Sequence, residues 1–387
     1  MATRNTKLLW RDSFLCTVLT LVVSGIFLLI FVNLSVLDPF YRAFKDFSFT
    51  DIYYSTLIND EAVFKDVIIV NVKQSDRFTI AQAIEKVQEQ YPKVIGLDVV
   101  FRDLKNPFVD SILKKTLHKH SNIVTSYFLE NDSVISNHND FKSDKDIEGF
   151  INMNLPNQDA VVRDFIGVKD AELYSFATQL ALESGKLKEE NLLKLKDRIP
   201  INYKGNQSSF LSFDIDELLE LESIPAMQNA IVVFGYLGTP TGNKFDIEDK
   251  LFTPLNEKYV GRSTPDMYGV VIHANIVKML SSNNFVKKAP KVLIYCIAII
   301  CCFLTVMFGM RLYRKSSLAY DVLIKFIQLV ISIVLVYLAL KLLKLNIYVF
   351  ITPILVLTLF GLEMIDFYVY LVDYLKKRFK WDSYLLD

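Results

Sequence analysis

Cysteine is scarce in this chain, and neither sign of charge is in excess. The four cysteines lie inside long apolar runs at positions 16, 296, 301 and 302, so the region between those runs has none. This absence excludes a disulfide framework and a cysteine-ligated metal from that region. The 387 residues include 43 basic and 43 acidic side chains. Without a basic excess, the protein is not expected to bind nucleic acid.

Catalytic and cofactor motifs are missing as well. Neither the G-x-S-x-G nucleophile elbow nor the H-E-x-x-H zinc motif occurs, so we do not expect an enzyme. The segment GYLGTPTGN at 235–243 has no lysine at the key place of a phosphate-binding loop, and we predict a turn after a strand. His118 and His120 form a pair without a third ligand, so no metal and no cofactor are expected.

Four long apolar runs predict transmembrane helices, because about 20 apolar residues cross the hydrocarbon core of a bilayer. The first, residues 13–37, is uncharged and lacks a small-residue cleavage pattern, so we predict an uncleaved signal anchor. Three more are predicted at residues 289–310, 321–343 and 345–372. Pro353 predicts a kink in the last of them.

Lysine and arginine predict how these helices are oriented. The N-terminus (1–12), the loop at 311–320 and the tail at 373–387 are basic and, with four crossings, share one side. Short basic segments stay in the cytoplasm. We therefore expect a multi-pass protein of the bacterial inner membrane, surrounded by membrane lipid, with both termini cytoplasmic and residues 38–288 in the periplasm or outside the cell.

Residues 38–288 alternate between strand and helix patterns. VIIVNV at 67–72 and VIGLDVVF at 94–101 predict buried strands, with a helix at 80–91 between them. This alternation predicts an α/β domain with a mostly parallel β-sheet flanked by helices. Further predicted elements are strands at 122–129, 150–153, 161–168, 201–203 and 230–237, helices at 110–117, 171–183 and 269–281, and a polar loop at 131–146.

Several ordered blocks carry a resemblance to a known family. They are KVIGLDVVF at 93–101, GFINMNLPNQDAVVRDF at 149–165 followed by SFATQLAL at 175–182, INYKG at 201–205, and IVVFGYLGT at 231–239 followed by LFTPL at 251–255 and GVVIHANIVKML at 269–280. With one span before them and three after, the chain resembles the second type of CHASE domain, the cyclase/histidine-kinase-associated sensory extracellular domain. It departs from the family at GYLGTPTGN and at Tyr268, where the family has a proline.

The resemblance implies a sensory protein that receives a signal outside the membrane and passes it inward through its helices. Family members often carry a cyclase or kinase output domain after the last span, whereas only a short tail follows it here. The signal is therefore expected to reach a separate protein partner. The ligand would be an unknown small molecule or protein, and homo-oligomers are compatible with the sequence.

Two other functions were weighed against sensing. The outer domain could be a docking platform, which would make the protein a structural or accessory subunit of a cell-envelope complex. An envelope enzyme acting on lipid or glycan is disfavoured because the catalytic residue sets are absent.

Asp98 is the first of three candidate ligand-binding residues. It interrupts an apolar strand, and an unpaired buried carboxylate costs several kcal/mol. Because ligands of open α/β sheets gather at the carboxyl ends of strands, Asp98 is predicted to line a pocket. The alternative is a carboxylate bonded to backbone amides or to Arg102.

Arg163 and His273 are the other two candidates. Arg163 is predicted to contact a ligand or to pair with Asp159 or Asp164. His273 could contact a ligand or act as a pH-sensitive group. The alternative is a structural polar contact with the neighbouring Asn275.

Overall fold

The computed structural model divides the chain into two compact units, Thr50–Val286 and Met1–Phe49 together with Lys287–Asp387. We call them the α/β unit and the membrane unit. The structure describes residues 2–33, 51, 53–54, 63–130, 133–143, 147–153, 161–170, 172–243, 245–256 and 264–386.

Nine α-helices are described. They are α1 (Ala2–Asn33), α2 (Arg77–Gln88), α3 (Pro107–Lys119), α4 (Phe176–Glu183), α5 (Ile215–Glu220), α6 (Gly269–Ser281), α7 (Lys291–Lys315), α8 (Ser317–Lys344) and α9 (Thr352–Phe379).

The described strands belong to one large sheet and several two-stranded ladders. They are β1 (Phe64–Asn71), β2 (Val94–Leu97), β3 (Ile123–Glu130), β4 (Ser133–Ile135), β5 (Ile147–Phe150), β6 (Asp164–Phe165), β7 (Val168–Lys169), β8 (Leu173–Tyr174), β9 (Ile199–Pro200), β10 (Phe210–Asp214), β11 (Ile231–Gly235), β12 (Lys250–Leu251), β13 (Met267–Tyr268), β14 (Lys287–Lys288) and β15 (Ile347–Tyr348).

The central sheet has the strand order β10-β1-β11-β2-β3, and all four of these pairings are parallel. β5 pairs in parallel with the first part of β3, and β4 pairs antiparallel with its end. The prediction of an α/β fold with a largely parallel sheet is confirmed.

Helices cover both faces of this sheet, which explains why its strands are apolar at nearly every position. On one face, α2, α3 and α5 enclose a core with alternate strand residues such as Ile68, Val70 and Val232. On the other face lie α4 and α6. There a side chain at Gly96 would strike Phe176 and Leu180 of α4.

Some predicted strands of the α/β unit are wrong. β2 ends at Leu97 rather than at Phe101, because the Phe101 amide donates to the Asn137 side chain and the Phe101 carbonyl accepts from the His138 amide. Residues 201–203 are buried but form no strand. Residues 161–168 hold β6 and the first residue of β7, outside the central sheet.

Other elements were missed or misplaced. The edge strand β10 and helix α5 were not predicted, and the predicted polar loop at 131–146 contains β4. Helix α4 begins at Phe176 rather than at residue 171. Ser175 caps this helix, because its side chain accepts a hydrogen bond from the Thr178 amide. Strand β5 ends at Phe150, where a strand had been predicted to begin.

Four helices of the membrane unit are long and apolar enough to cross a bilayer, and they are Arg4–Ile30, Lys291–Lys315, Tyr320–Lys344 and Thr352–Phe379. Their bounds differ from the predicted spans. α1 begins inside the predicted N-terminal segment, and residues 34–37 of the first predicted span lie outside the described residues. The predicted loop at 311–320 is helical except at Ser316, which separates α7 from α8.

The last span begins at Thr352 rather than at residue 345, and Leu345–Ile351 is not helical. Pro353 lies in the first turn of α9, so the predicted kink is wrong. An amide in the first turn has no acceptor inside its helix, so a proline there removes no hydrogen bond.

Helices α7 and α9 approach closely through one glycine on each. A Cβ on Gly309 would lie 2.6 Å from the Ile365 Cδ1 atom, and a Cβ on Gly361 would lie 2.7 Å from the Cys302 Sγ atom. Small residues at such crossings let helix backbones pack against each other in a bilayer.

Candidate ligand-binding site

A cleft of about 610 Å³ opens at the carboxyl edge of the central sheet, on the face covered by α2 and α3. Crevices beyond the carboxyl ends of parallel strands are where open α/β sheets bind ligands. Its lining comes from the start of α2, the segment after β2 and the start of α3, namely Ser75, Asp76, Arg77, Ile80, Val99, Val100, Phe101, Arg102, Asp103, Lys105, Asn106, Val109 and Asp110.

Side-chain caps fix the two helix starts at this cleft. The Asp76 carboxylate accepts from the Thr79 amide at 2.8 Å, and this bond lowers the pKa of Asp76. The Asn106 side chain accepts from the Phe108 amide at 3.0 Å. Such caps satisfy amides that have no acceptor within the helix. The amides of both first turns are therefore partly occupied by the protein itself.

A buried ion pair forms one wall of the cleft. Arg77 donates to Asp110 at 2.5 Å and to the backbone oxygen of Asp103 at 2.5 Å. Asp110 also accepts from the amides of Lys105 and Asn106, at 2.7 and 2.9 Å. Burial opposes the ionisation of Asp110, but the hydrogen bonds from Arg77 and the two amides outweigh it and lower the pKa of this carboxyl. Both charged groups of this wall thus have hydrogen-bonding partners within the protein.

Three charged side chains of the lining remain without a hydrogen-bonding partner among the described residues. They are Arg102, Asp103 and Lys105. The Arg102 guanidinium lies 4.4 Å from the centre of the Phe128 ring. Ile80, Val99 and Val109 supply apolar surface to the same cleft. The cleft therefore offers two cations, one carboxylate and an apolar wall.

A family model for the CHASE2 domain matches residues 14–310. The chain belongs to the CHASE2 domain family. CHASE2 is a family of extracellular sensory domains, and four apolar helices indicate a multi-pass membrane protein. No curated protein and no solved structure matches the chain.

Asp98 of the CHASE2 domain directly follows β2, but it faces away from the cleft. A Cβ on Gly235 would lie 3.3 Å from the Asp98 Cβ and 2.6 Å from Val270 of α6. The half-buried Asp98 carboxyl has no hydrogen-bonding partner among the described residues, so neither backbone amides nor Arg102 bind it. Burial raises the pKa of Asp98 well above its usual range, and the charge of Asp249 raises it further.

His273 belongs to α6, and its ring lies between α6 and α4. Its ring packs edge-on against Phe176 with centroids 5.4 Å apart, and its Nδ1 atom has no partner in the described part of the chain. Burial lowers the pKa of His273 to about 4, so the ring is neutral at pH 7. The predicted contact with Asn275 is wrong, because the Asn275 amide bonds to the backbone of Gly205 and Val271.

Arg163 is paired with Asp51, a partner that the sequence did not indicate. Its Nε and Nη2 atoms donate to the two Asp51 oxygens at 3.0 and 2.5 Å, which is the bidentate geometry of a strong ion pair. Asp159 lies outside the described residues.

Asp98, His273 and Arg163 thus lie outside the lining of the cleft, and ligand binding by each of them stays a prediction. Sequence analysis missed Arg77 and considered Arg102 only as a partner of Asp98. The available signal was the basic residues just after β1 and β2, where strand ends of a parallel sheet meet.

Proposed function

We propose that this protein is a membrane sensor whose α/β unit binds a small ligand in the cleft beside Arg102. The observation that carries this function is a 610 Å³ cleft at the carboxyl edge of the sheet with charged side chains left unpaired. Unpaired charges that converge on a concave site are the usual sign of a ligand pocket. Membership of a sensory family supports the same conclusion.

The unpaired charges favour a zwitterion with an apolar body. Arg102 and Lys105 suit a carboxylate, and Asp103 suits an ammonium group. The wall of Ile80 and Val109 suits an aliphatic side chain. A free amino acid such as leucine combines all three properties, so we assign the ligand to this chemical class.

The proposed route of the signal follows from the charge distribution along the chain. The basic ends of the four apolar helices favour cytoplasmic termini and an α/β unit outside the cytoplasm, in the periplasm of a bacterial inner membrane. A ligand transmits a signal only if it binds two states of the domain with different affinity. We propose that the membrane helices pass this change to a separate protein partner, and that the protein itself is not an enzyme.

Ligand binding can be tested by melting the full chain in lipid nanodiscs, followed by far-ultraviolet circular dichroism. Tryptophan fluorescence would not report on the α/β unit, because Trp10 and Trp381, the two tryptophans of the chain, lie in the membrane unit. Leucine should raise the melting temperature, since a ligand at 100 times its dissociation constant stabilises by about 2.7 kcal/mol. 4-Methylpentanoate lacks the ammonium group and 3-methylbutylamine lacks the carboxylate, so each should act more weakly.

A double variant separates the cleft from non-specific effects. Arg102→Gln with Lys105→Gln should abolish the shift caused by leucine. Lys114→Gln with Lys115→Gln removes the same charge from the exposed side of α3 and should leave it intact. An equal loss in both variants, or an equal shift with all three compounds, would contradict the proposed site.

The orientation needs its own experiment. In a chain whose four cysteines are replaced by alanine, Lys114→Cys should react with a membrane-impermeant maleimide on intact spheroplasts. Lys380→Cys should react only after the membrane is opened. Labelling in the reverse order would overturn the proposed sensory topology.

A further inference from the structure

A second cleft, of about 520 Å³, lies in the membrane unit at the carboxyl end of α7. Its lining is Phe308, Arg311, Leu312, Arg314, Lys315 and Tyr384. The cleft thus brings together three cations, two apolar side chains and one ring from the C-terminal tail. No carboxylate is among these lining residues.

Two of the three cationic side chains have no side-chain partner among the described residues. Arg311 and Lys315 are exposed and have no side-chain partner within the described part of the chain, whereas the Arg314 guanidinium lies 4.6 Å from the centre of the Tyr384 ring. Several unpaired cations in a single cleft attract an anion. Arginine and lysine are the side chains that proteins use for phosphate.

An apolar stripe leads from the cleft along α7. Ile300, Leu304 and Phe308 are 57%, 49% and 53% exposed and follow one another at intervals of four residues. Side chains with this spacing lie on the same face of a helix. A molecule whose anionic head occupies the cleft could therefore lay a hydrocarbon chain along this stripe.

The cleft lies where a lipid headgroup would be. Trp10 packs against Phe303 of α7, and the Trp381 ring lies 4.5 Å from the Arg11 guanidinium. Tryptophan and basic side chains collect at the level of lipid headgroups.

The tail that supplies Tyr384 is fixed in place. The buried carboxylate of Asp12 accepts from the Ser383 hydroxyl at 2.6 Å and from the Tyr384 amide at 2.7 Å. Arg4 forms an ion pair with Asp382 at 2.6 Å. These bonds hold the Tyr384 ring at the edge of the cleft, so the cleft is a built feature of the bundle end.

We propose that this cleft binds the phosphate of an anionic phospholipid, with Arg311 and Lys315 as the main phosphate ligands and Phe308 against the first part of an acyl chain. Arg314 and Tyr384 form the wall on the side of the N-terminal part of α1, where Asp12 accepts from the Tyr384 amide. This site is independent of the ligand cleft in the α/β unit. The lining has three cations and no carboxylate to face a choline group, so the anionic phosphatidylglycerol should bind and the zwitterionic phosphatidylcholine should not compete.

Native mass spectrometry of the full chain in detergent, titrated with phosphatidylglycerol, tests this site. The wild-type chain should retain one such lipid in preference to phosphatidylcholine. Each basic side chain near an anionic lipid strengthens binding about five-fold, so Arg311→Gln with Lys315→Gln should weaken it about 25-fold. Inorganic phosphate at millimolar concentration should not displace the lipid, because it cannot use the apolar stripe.

The control removes the same charge from the opposite end of α8. Lys341 and Lys344 are exposed and have no side-chain partner among the described residues, so Lys341→Gln with Lys344→Gln should leave retention unchanged. Equal weakening by both double variants would overturn the site, as would equal retention of phosphatidylcholine. Saturable binding of inorganic phosphate without lipid would show that the cleft takes a free anion instead.

Discussion

The two faces of the central sheet accommodate ionisable side chains in opposite ways. Beneath α2 and α3, Arg77 and Asp110 are charged. Arg77 donates a hydrogen bond to Asp110, which also accepts from the Lys105 amide. Beneath α4 and α6, the Asp98 carboxyl and the His273 Nδ1 atom have no hydrogen-bonding partner among the described residues.

The difference follows from how each group avoids the cost of an isolated charge. Asp110 keeps its charge because a guanidinium and two amides surround it. His273 keeps none, since burial holds its pKa near 4. For Asp98, burial and a nearby like charge favour the protonated form. One face therefore contains compensated charge, and the other contains groups held neutral.

The largest expected effect comes from breaking the charged face. Arg77→Ala leaves the Asp110 carboxylate buried and unpaired, which typically costs about 3–5 kcal/mol. The melting temperature of the α/β unit should fall by about 10 °C, because 1 kcal/mol shifts a domain of this size by about 2–4 °C. Circular dichroism of the full chain at pH 7 measures the shift.

Two variants control that measurement. Arg77→Met with Asp110→Asn removes both charges but keeps an acceptor for the Lys105 and Asn106 amides, so it should lose less than Arg77→Ala alone. Lys114→Ala, on the exposed side of α3, should change little. If the double variant is as unstable as the single one, the charges on this face are not coupled as described.

An intermediate effect is expected from acid on the neutral face. Unfolded His273 takes up a proton below its ordinary pKa of about 6.5, whereas the folded protein resists protonation down to about pH 4. Stability present above pH 6.5 is therefore lost as the pH falls toward 4, by about 3 kcal/mol at the end of that range. His273→Leu should flatten this part of the pH profile.

The matched control for that profile is His118→Gln, because His118 is exposed on α3. It should melt like the wild type throughout the range. A wild-type profile that is flat between pH 6.5 and pH 4 would show that His273 is not held neutral by burial.

A smaller effect is expected from Asp98, because this carboxyl is only half-buried and solvent screens its charge. Its pKa is raised in the folded state, so the folded protein keeps a proton that the unfolded chain releases above about pH 4. Stability should fall as the pH rises through the neutral range, and Asp98→Asn should remove that slope. At pH 8 the variant should melt at a higher temperature than the wild type, and at pH 4 the two should melt at the same temperature.

Glu220→Gln changes an exposed carboxylate on α5 in the same way and should show no such gain. If Asp98→Asn were instead less stable than the wild type at pH 8, the carboxylate would have a favourable partner and the contrast between the two faces would fail.

The central strands could be predicted from the sequence because burial on both faces gives continuous apolar runs. VIIVNV and IVVFG became β1 and β11, and the apolar pattern at 269–281 became α6 at those bounds. The segment INY at 201–203 was also predicted to be a strand, yet tertiary contacts bury it without a ladder. The Tyr203 hydroxyl donates to the Val162 carbonyl at 2.8 Å, and the Asn202 side chain donates to the Asn284 carbonyl at 2.9 Å.

The candidate cleft was harder to predict because it depends on where a strand stops. VIGLDVVF has the composition of an eight-residue strand, but its last residues leave the sheet and form the cleft wall. Asp98 therefore lies on one face while Arg102 reaches the other. Pairing of Arg163 with Asp51 spans 112 positions of sequence, and no local pattern encodes it.

The short ladder between β14 and β15 has a mechanical consequence. Lys287 donates through its amide to the Asn346 carbonyl at 2.8 Å, and Ala289 to the Tyr348 carbonyl at 2.9 Å, just before α7 and α9 begin. Strand β15 lies between the end of α8 at Lys344 and the start of α9 at Thr352, so a displacement that enters along the backbone at Lys287 reaches three membrane helices through the backbone. Any torque or pull transmitted at this point would act on the start of α7, the end of α8 and the start of α9 together.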